Sequence, residues 1–323
     1  MNTAKKLRLG VIMDPIEDIK VYKDSSFAML LAAQKRGWEL YYILAQDLFA
    51  EDTRIKTSAC RIRVEDNTEH WFELDAAETL ELASLDVVLM RKDPPFDMEY
   101  ISTTYLLDIA ERAGCLVVNR PHSLRDANEK MFIAQFPQCC APMLVSRQAK
   151  RLRAFIQQQG DVILKPLDGM GGMSIFRVTP NDPNLSVILE TISENGNKTV
   201  MAQRFIPEIS AGDKRILLID GEPVPYALAR VPAKGESRGN LAAGGQAVGK
   251  ELSERDHWIC QQVGPTLKEM GIVFAGIDVI GDYLTEINIT SPTCIRELDQ
   301  IYQLDIASQL MDVIAAKCDV MRR

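Results

Sequence analysis

A predicted strand runs into a glycine-rich loop in the sequence Ile163-Leu164-Lys165-Pro166-Leu167-Asp168-Gly169-Met170-Gly171-Gly172-Met173. The strand covers residues 161–165, and a second predicted strand, residues 175–178, follows the glycines without an intervening helix. A Rossmann fold or a Walker phosphate loop needs a helix N-terminus at that point, and the motif GxxxxGK[ST] is absent. The stretch therefore predicts a β-hairpin whose glycines let backbone N–H groups approach a phosphate, with a plain surface hairpin as the alternative.

Upstream of this hairpin, short apolar strands alternate with helices. The pattern predicts strands at residues 9–13, 39–44, 87–91 and 115–119, and helices at 25–36 and 101–113. Such alternation indicates βαβ units that build a parallel sheet with right-handed crossovers. We therefore predict an N-terminal α/β domain with a parallel sheet in residues 1–122.

From Pro121 onward the pattern changes to hairpins and separate helices. Helices are predicted at 128–136, 150–159 and 255–270, and strands at 200–205, 214–219, 224–229, 274–280 and 284–290. The sequence Asp220-Gly221-Glu222-Pro223 is a hairpin turn signal between two of these strands. These elements predict a second domain, residues 123–323, for which the family resemblance described below implies two α+β subdomains.

Composition narrows the classes of function. The chain has 323 residues and a net charge of −8, from 37 Lys and Arg against 45 Asp and Glu, which argues against a nucleic-acid binder or a membrane-bound protein. We identify no transmembrane span or signal peptide, and the 7 cysteines lack CxxC spacing, so we expect a cytoplasmic protein with reduced thiols. Three isolated histidines argue against a His-based metal site or a Ser/His/Asp triad.

The last predicted hairpin carries a candidate metal site. Glu286 and Asn288 lie two residues apart and therefore share one strand face, while Asp278 lies on the partner strand. Carboxylate and amide oxygens suit Mg²⁺, although an ordinary exposed strand explains the alternation as well. Asp278 can face Glu286 only across a three-residue loop, Gly281-Asp282-Tyr283, or an equivalent bulge, and we predict that geometry.

Residues 230–246 form a glycine-rich segment that also carries Arg230, Lys234 and Arg238. Glycines that can act as hinges, together with cations, are typical of a loop that closes over an anionic ligand. We predict an active-site lid here, and the alternative is an uncommitted surface loop.

Six sequence motifs, in order along the chain, resemble the bacterial glutathione synthetase family of the ATP-grasp superfamily. The resemblance covers nearly the whole chain apart from a few N-terminal residues and a divergent stretch at 135–142. The motifs are Met13-Asp14-Pro15, Lys23-Asp-Ser-Ser-Phe-Ala-Met-Leu30, Met90-Arg-Lys-Asp-Pro-Pro-Phe-Asp97, Leu164-Lys-Pro-Leu-Asp-Gly-Met-Gly-Gly172, Arg238-Gly-Asn-Leu-Ala-Ala-Gly-Gly245 and Leu284-Thr-Glu-Ile-Asn-Ile-Thr-Ser-Pro-Thr-Cys-Ile-Arg-Glu297.

The resemblance implies an ATP-grasp fold in the second domain and an ATP-dependent carboxylate–amine ligase. Members of this family join γ-glutamylcysteine to glycine through an acyl phosphate, releasing ADP and phosphate. The implied cofactors are ATP and Mg²⁺, with Mn²⁺ as the alternative metal. The implied partners are these small molecules and further copies of the chain in a homotetramer, with no nucleic acid and no membrane.

The resemblance also assigns candidate site residues. For ATP they are Lys130, Lys165, Gly169, Gly171, Gly172, Gln203, Arg204, Phe205, Ile206 and Asp213, and for the metal Asp278, Glu286 and Asn288. Catalytic candidates are Arg215, Arg230 and Asn240. For the dipeptide and glycine they are Asp24, Ser25, Ser26, Arg91, Ser291, Thr293 and Arg296.

Three alternatives stay open at this point. Another ATP-grasp ligase, such as a D-alanine–D-alanine ligase or a glutamate-adding ligase, would share the ATP and metal residues but not the matches at Asp24–Ser26 and Arg91. A nucleotide-responsive binding protein without turnover would lack a metal ligand or a lid cation. On the dipeptide side, Ser25 and Ser26 can instead cap the following helix.

Overall fold

The first third of the chain forms a mixed sheet with a parallel centre. Its strands are β1 (Arg8–Ile12), β2 (Glu39–Glu51), β3 (Arg54–Val64), β4 (Phe72–Leu74), β5 (Glu78–Glu81), β6 (Val87–Met90) and β7 (Leu116–Val118). In the computed structural model, which describes residues 6–169, 171–233 and 244–322, the strand order is β4-β3-β2-β1-β6-β7, with β5 paired to β3. The pairs β1–β2, β1–β6 and β6–β7 are parallel, as predicted.

Helices α1 (Ser25–Lys35), α2 (Met98–Arg112) and α3 (Pro121–Asp126) accompany this sheet. The side chain of Asp24 caps α1 by accepting a hydrogen bond of 2.6 Å from the Phe27 N–H, so the cap is Asp24 rather than Ser25 or Ser26. Strands β3 to β5 were not predicted. They pair antiparallel at the sheet edge, where β3 alternates buried apolar residues with charged ones.

The second sheet contains the glycine-rich hairpin. Its strands are β8 (Met143–Ser146), β9 (Val162–Pro166), β10 (Phe176–Val178) and β11 (Val200–Arg204), in the order β10-β9-β11-β8, and the helices beside it are α4 (Ala149–Gln159) and α5 (Leu185–Ile192). Strands β9 and β10 pair antiparallel, which confirms the predicted hairpin. Leu152, Ile156 and Leu189 pack against this sheet in a separate core cluster.

The predicted helix at residues 128–136 is wrong. Only a single 3₁₀ turn, Phe132–Gln135, forms there. The side chain of Asn128 accepts hydrogen bonds from the N–H groups of Lys130 and Met131, at 3.1 and 2.9 Å. This local turn competes with the backbone bonds that an α-helix would need.

The third sheet is antiparallel throughout. Its strands are β12 (Asp213–Ile219), β13 (Glu222–Val231), β14 (Gln246–Glu251), β15 (Phe274–Ile280) and β16 (Tyr283–Asn288), in the order β14-β13-β12-β15-β16, with α6 (Glu254–Glu269) packed beside them. The predicted turn between β12 and β13 forms at Asp220 and Gly221, whose φ angles of 51° and 87° suit a two-residue hairpin loop.

Both ends of the predicted lid segment lie in strands. Arg230 belongs to β13 and pairs across the ladder with Asp213, and Val231 pairs with Gln246 on β14. Regular structure therefore continues to residue 231 and resumes at 246, further into the segment than the sequence predicted. The middle of the segment, with Lys234, Arg238 and Asn240, lies outside the described residues.

Two further helices, α7 (Ile295–Tyr302) and α8 (Ile306–Met321), follow the third sheet and were not predicted. Helix α8 packs on α1 of the N-terminal region, where Arg36 donates hydrogen bonds to Ser308 O at 2.8 Å and to Asp312 at 2.6 Å. The carboxamide of Asn119, just after β7, bonds the backbone of Phe274 and Ile289 at 2.7 Å each. The N-terminal sheet and the third sheet are thus joined by buried contacts.

The helices that the structure describes fall short of a membrane span, because none combines the necessary length with a sufficiently apolar sequence.

Candidate active site

One cavity of about 560 Å³ lies where the three sheets meet. All candidate residues named from the sequence line it except Arg296 and Asn240, and Asn240 is outside the described part of the chain. The cavity therefore brings together residues from distant stretches, such as Arg91, Lys165 and Asp278. Their convergence supports one site, while the role of each residue remains a prediction.

The β15–β16 hairpin aligns the proposed metal ligands through a bulge. Its loop has two residues, Gly281 and Asp282, so the predicted three-residue loop is wrong. Val279 pairs with Leu284, but the next pair away from the loop is Asp278 with Glu286, so the register shifts by one residue between these two pairs. The extra residue is Thr285, whose hydroxyl donates to the Asp278 carbonyl at 3.1 Å. The bulge predicted as the equivalent geometry is confirmed.

An arginine cluster, consisting of Arg215, Arg230, Asp213 and Asp278, lies on β12, β13 and β15. Arg215 donates to both carboxylate oxygens of Asp278, at 2.5 and 3.0 Å. Arg230 lies 2.9 Å from Asp278 and also bonds Asp213. A side chain at Gly276 would place its Cβ 2.7 Å from Arg215 Cδ, so the glycine leaves room for this arginine.

The same cluster shifts the pKa values of its two carboxyl groups in opposite directions. Burial favours the neutral form of both, but Arg215 and Arg230 together hold the pKa of Asp278 below its usual range. Burial raises the pKa of Asp213 to about 6, against the opposing effect of Arg230. Asp278 is thus a permanent anion, whereas Asp213 titrates at mildly acidic pH.

A lysine cluster, consisting of Lys130, Lys165, Glu129 and Glu286, lies beside the glycine loop. The Lys165 ammonium donates to Thr285 O at 3.2 Å and lies 3.6 Å from Glu286. Lys130 bonds Glu129 and donates to Gly169 O at 2.6 Å, and its ammonium lies 3.9 Å from Glu286. The bulge carbonyl and the loop carbonyl therefore hold both ammonium groups toward the metal strand.

The donor set at Asp278, Glu286 and Asn288 fits a hard divalent cation. Two carboxylates face each other across the ladder. The Asn288 amide nitrogen donates a hydrogen bond to Asp278 at 3.2 Å, which leaves the amide oxygen available to coordinate the cation. Within the described residues, no group of three or more His, Cys, Asp or Glu side chains has metal-binding geometry. A cation here would therefore need phosphate oxygens or waters to complete its coordination.

Residues 203–206 line the cavity beyond the lysine cluster, where the adenine is expected. The N–H groups of Arg204 and Phe205 already donate to Pro142 O and Asp161 O, at 2.9 Å each. In the described structure the Gln203 amide nitrogen is buried without an acceptor. The sequence assigned Gln203 to ATP without indicating that its side chain would be a buried donor.

The proposed dipeptide residues connect α1 to the turn before α7. Arg91 donates to Ser26 Oγ at 3.0 Å and to Pro292 O at 2.9 Å. The Ser25 hydroxyl accepts a hydrogen bond of 3.2 Å from Ile295 N–H. Arg296 lies outside the cavity lining and pairs with both carboxylate oxygens of Asp66, at 2.8 and 2.9 Å, so its predicted role stays a prediction that this geometry does not support.

Five carboxylates in the cavity were not among the candidate site residues, namely Asp14, Asp18, Asp93, Glu129 and Glu297. Glu129 directly precedes Lys130, which was a signal that it would lie nearby. Glu297 lies in the first turn of α7, where the sequence alone gave no reason to prefer it to its neighbours.

Solved structures with the same fold are ATP-grasp enzymes. D-cycloserine synthetase DcsG superposes with a TM-score of 0.68 at 13% identity, over 96% of this chain and 99% of that chain. A RiPP-associated ATP-grasp ligase from Chryseobacterium gregarium gives a TM-score of 0.65 at 14% identity, over 96% and 97%. The chain therefore has the ATP-grasp fold, which confirms the predicted fold class.

Sequence comparison defines the family more closely. Residues 7–125 match the model of the prokaryotic glutathione synthetase N-terminal domain, and residues 129–303 match that of the prokaryotic glutathione synthetase ATP-grasp domain. A glutathione synthetase of Pseudomonas aeruginosa is 60% identical over 96% of this chain and 98% of its own length. One from Vibrio vulnificus is 56% identical over 95% and 97%.

The chain thus belongs to the prokaryotic glutathione synthetase family, as the sequence motifs indicated. This membership confirms the predicted function, a glutathione synthetase, and the predicted class, an ATP-dependent ligase. It also implies the use of ATP with a divalent metal ion and of small-molecule substrates.

Proposed function

We propose that this protein joins γ-glutamylcysteine to glycine, with ATP converted to ADP and phosphate. The observation that carries the proposal is the convergence of the arginine cluster, the lysine cluster and Arg91 on one cavity. The reaction must bring an anionic carboxylate against an anionic triphosphate, and fixed cations on both sides offset that repulsion. No protein nucleophile is required.

Lys130 and Lys165 bind the ATP phosphates in this proposal, and Gly169, Gly171 and Gly172 cover them. Their support is the geometry of the lysine cluster, where the glycine loop is fixed to Lys130 through Gly169 O. Residues 203–206 hold the adenine and Asp213 the ribose. All of these groups line the same cavity.

Asp278, Glu286 and Asn288 hold the divalent ion, for which we propose Mg²⁺, with Mn²⁺ as the alternative, because oxygen ligands suit both hard ions. When bound, the ion neutralises part of the charge on the phosphates. The chain itself contributes the fixed position of the two carboxylates across the bulge. Glu286 also keeps the ammonium groups of Lys130 and Lys165 near the metal position.

Arg215 and Arg230 stabilise the charge that develops during phosphoryl transfer. The dipeptide carboxylate attacks the γ-phosphorus of ATP, ADP leaves, and the product is an acyl phosphate. The amine of glycine then attacks the acyl carbon, loses a proton, and phosphate leaves with its bonding electrons. The segment 230–246, including Asn240, is proposed to shield this intermediate from water.

On the substrate side, Asp24, Ser25, Ser26 and Arg91 are proposed to contact the dipeptide. Ser291 and Thr293 are proposed to contact glycine and the reacting carboxylate. A cytoplasmic location, a homotetramer and a division of the chain between residues 122 and 123 complete the proposal. The change of pattern after Pro121 and the two family-model matches support the division, and the homotetramer is supported only by the family resemblance.

A phosphate-release assay tests the proposed function. Release should require ATP, Mg²⁺, γ-glutamylcysteine and glycine together. Release with a D-alanine pair or a glutamate acceptor instead would favour another carboxylate–amine ligase. Nucleotide binding without turnover on any of these substrates would favour a binding protein and contradict the proposal.

A further inference from the structure

Glu297 is a carboxylate in the cavity that none of the proposed steps uses. It lies in the first turn of α7, directly after the turn that holds Ser291 and Thr293. Within the described structure, its Oε2 atom is buried and has no hydrogen-bond donor. A buried carboxylate oxygen without a donor is unfavourable, and such groups commonly indicate a missing partner.

The other carboxylates that line the cavity are exposed or already have a partner, although Asp213, which bonds Arg230 through Oδ2, also leaves its buried Oδ1 without a donor in the described structure. Four of them, Glu129, Asp213, Asp278 and Glu286, belong to the two cationic clusters, Asp24 caps α1, and Asp14 pairs with Lys92 at 2.7 Å. Asp18 and Asp93 are exposed, where water hydrates a lone carboxylate. Among the described residues, Glu297 is thus the cavity acid that combines a buried oxygen lacking a donor with the absence of an ion pair to a cation, since Asp213 is already paired with Arg230.

Charged neighbours of Glu297 suit one end of the proposed dipeptide. Burial raises the pKa of Glu297, while its own backbone N–H and then the cations Lys23, Arg215 and Arg296 favour its ionised form. A carboxylate beside cations can recognise an amino-acid head group, since the carboxylate binds the ammonium and the cations bind the α-carboxylate.

The two substrates differ in what they would require from this residue. Glycine must lose a proton before its amine attacks, and a carboxylate that binds its ammonium would stabilise the unreactive form. The α-ammonium of the γ-glutamyl group does not react and keeps its charge throughout. A fixed carboxylate therefore suits the γ-glutamyl end better than it suits glycine.

We propose that Glu297 binds the α-ammonium group of the γ-glutamyl end of the dipeptide and selects substrates that carry it. This inference rests on the proposed function, because it takes γ-glutamylcysteine as the substrate. It makes Glu297 a specificity-determining residue, with no part in bond making or breaking.

The test compares γ-glutamylcysteine with glutarylcysteine, which lacks the α-amino group. Binding of each to the full-length protein is measured by calorimetry in the presence of Mg²⁺ and a non-hydrolysable ATP analogue, followed by steady-state kinetics. Glu297→Gln should weaken γ-glutamylcysteine binding and raise its KM about 10–100-fold, the usual range for a hydrogen bond to a charged group. Glutarylcysteine binding and the KM for glycine should stay within about twofold.

Two further variants control for a purely structural role. Glu297→Asp should recover part of the preference for the α-amino group, and Asp93→Asn, at an exposed cavity acid, should leave it unchanged. Equal weakening of both dipeptides by Glu297→Gln would assign Glu297 to the helix terminus and overturn the inference. A fall in kcat with unchanged dipeptide binding would overturn it as well, in favour of proton transfer.

Failure of the proposed function gives a different result. If the wild-type protein binds γ-glutamylcysteine in a Glu297-dependent way but releases no phosphate with glycine, the binding inference stands and the proposed function fails. If the wild-type protein does not bind γ-glutamylcysteine, the binding inference is overturned.

Discussion

The two cationic clusters of the cavity are built in different ways. In the arginine cluster, Arg215 contacts both oxygens of Asp278 and Arg230 bridges two carboxylates, and both arginines are almost fully buried. In the lysine cluster, Glu286 lies 3.6 and 3.9 Å from its two ammonium groups, so these pairs are looser. Planar guanidinium groups are fixed by such forked contacts, whereas an ammonium on a flexible stem can turn toward a ligand.

This contrast indicates a division of labour. The arginine cluster is positioned by the protein itself before any substrate binds, and it contributes to the stability of the third sheet. The lysine cluster can exchange its protein partners for phosphate oxygens with little change to the fold. Variants of the arginine cluster should therefore affect stability and activity together, and variants of the lysine cluster should mainly affect activity.

Replacing Arg215 with Met should give the largest effect. It leaves Asp278 buried with Arg230 as its remaining cation, and removing one partner of a buried ion pair typically destabilises a protein by about 3–5 kcal/mol. Urea denaturation should show that loss, and phosphate release should fall below detection. Arg215→Lys keeps the charge without the forked contact and should be intermediate. Wild-type stability in Arg215→Met would contradict the contrast between the clusters.

Lys165→Met should separate activity from stability. The lysine lies where the phosphates are proposed to bind, and losing one such electrostatic contact typically lowers the rate about 10²–10³-fold. Lys165 is buried, but Glu286 is partly exposed and still faces Lys130, so the unfolding free energy should fall clearly less than in Arg215→Met. Wild-type turnover in the folded variant would remove Lys165 from the phosphate site.

Glu286→Gln should change the metal requirement more than the maximal rate. It removes one formal charge from the proposed ligand set, so the Mg²⁺ concentration for half-maximal phosphate release should rise by more than about tenfold. The matched control is Glu222→Gln, an exposed position on β13 of the same sheet. A metal titration identical to that of the control would exclude Glu286 as a ligand.

The parts of this site that could be predicted are those set by local patterns. Strand and helix periodicity gave the βαβ region, and the glycines after Lys165 gave a hairpin without a helix. The choice between a three-residue loop and a bulge could not be made from sequence, because it depends on the Thr285 hydroxyl reaching the Asp278 carbonyl. Glu297 was missed because the lack of a donor is a property of the tertiary structure.

Arg296 shows the opposite limit. Its sequence neighbours line the cavity, but the helical turn of α7 directs its side chain to Asp66, near the sheet edge that the sequence did not predict. Because the strand that precedes Asp66 was not predicted, the sequence could not indicate that Asp66 would pair with Arg296. Membership of a matched motif therefore does not by itself place a side chain in the cavity, whereas the shared strand face placed Glu286 and Asn288 there together.

The smallest expected effect concerns Asp213, the titratable member of the arginine cluster. Burial raises its pKa to about 6 in the folded protein, above the ordinary value of 3.8, so the folded state binds the proton more tightly than the unfolded state. Its contribution to stability is therefore complete below pH 4 and is lost as the pH rises through 6.

Comparing the wild-type protein with Asp213→Asn isolates this contribution. As the pH rises from 4 to 6, the unfolding free energy of the wild type should fall relative to that of Asp213→Asn, by at most about 1.4 kcal/mol per pH unit. The control is Asp220→Asn, since hydrogen bonds from Lys317 and Lys268 outweigh burial and lower the Asp220 pKa, which leaves that carboxyl ionised above pH 5 in both states. If the difference in unfolding free energy between the wild type and Asp213→Asn stays constant from pH 4 to 6, Arg230 keeps Asp213 ionised. Both carboxylates of the arginine cluster would then be permanent anions.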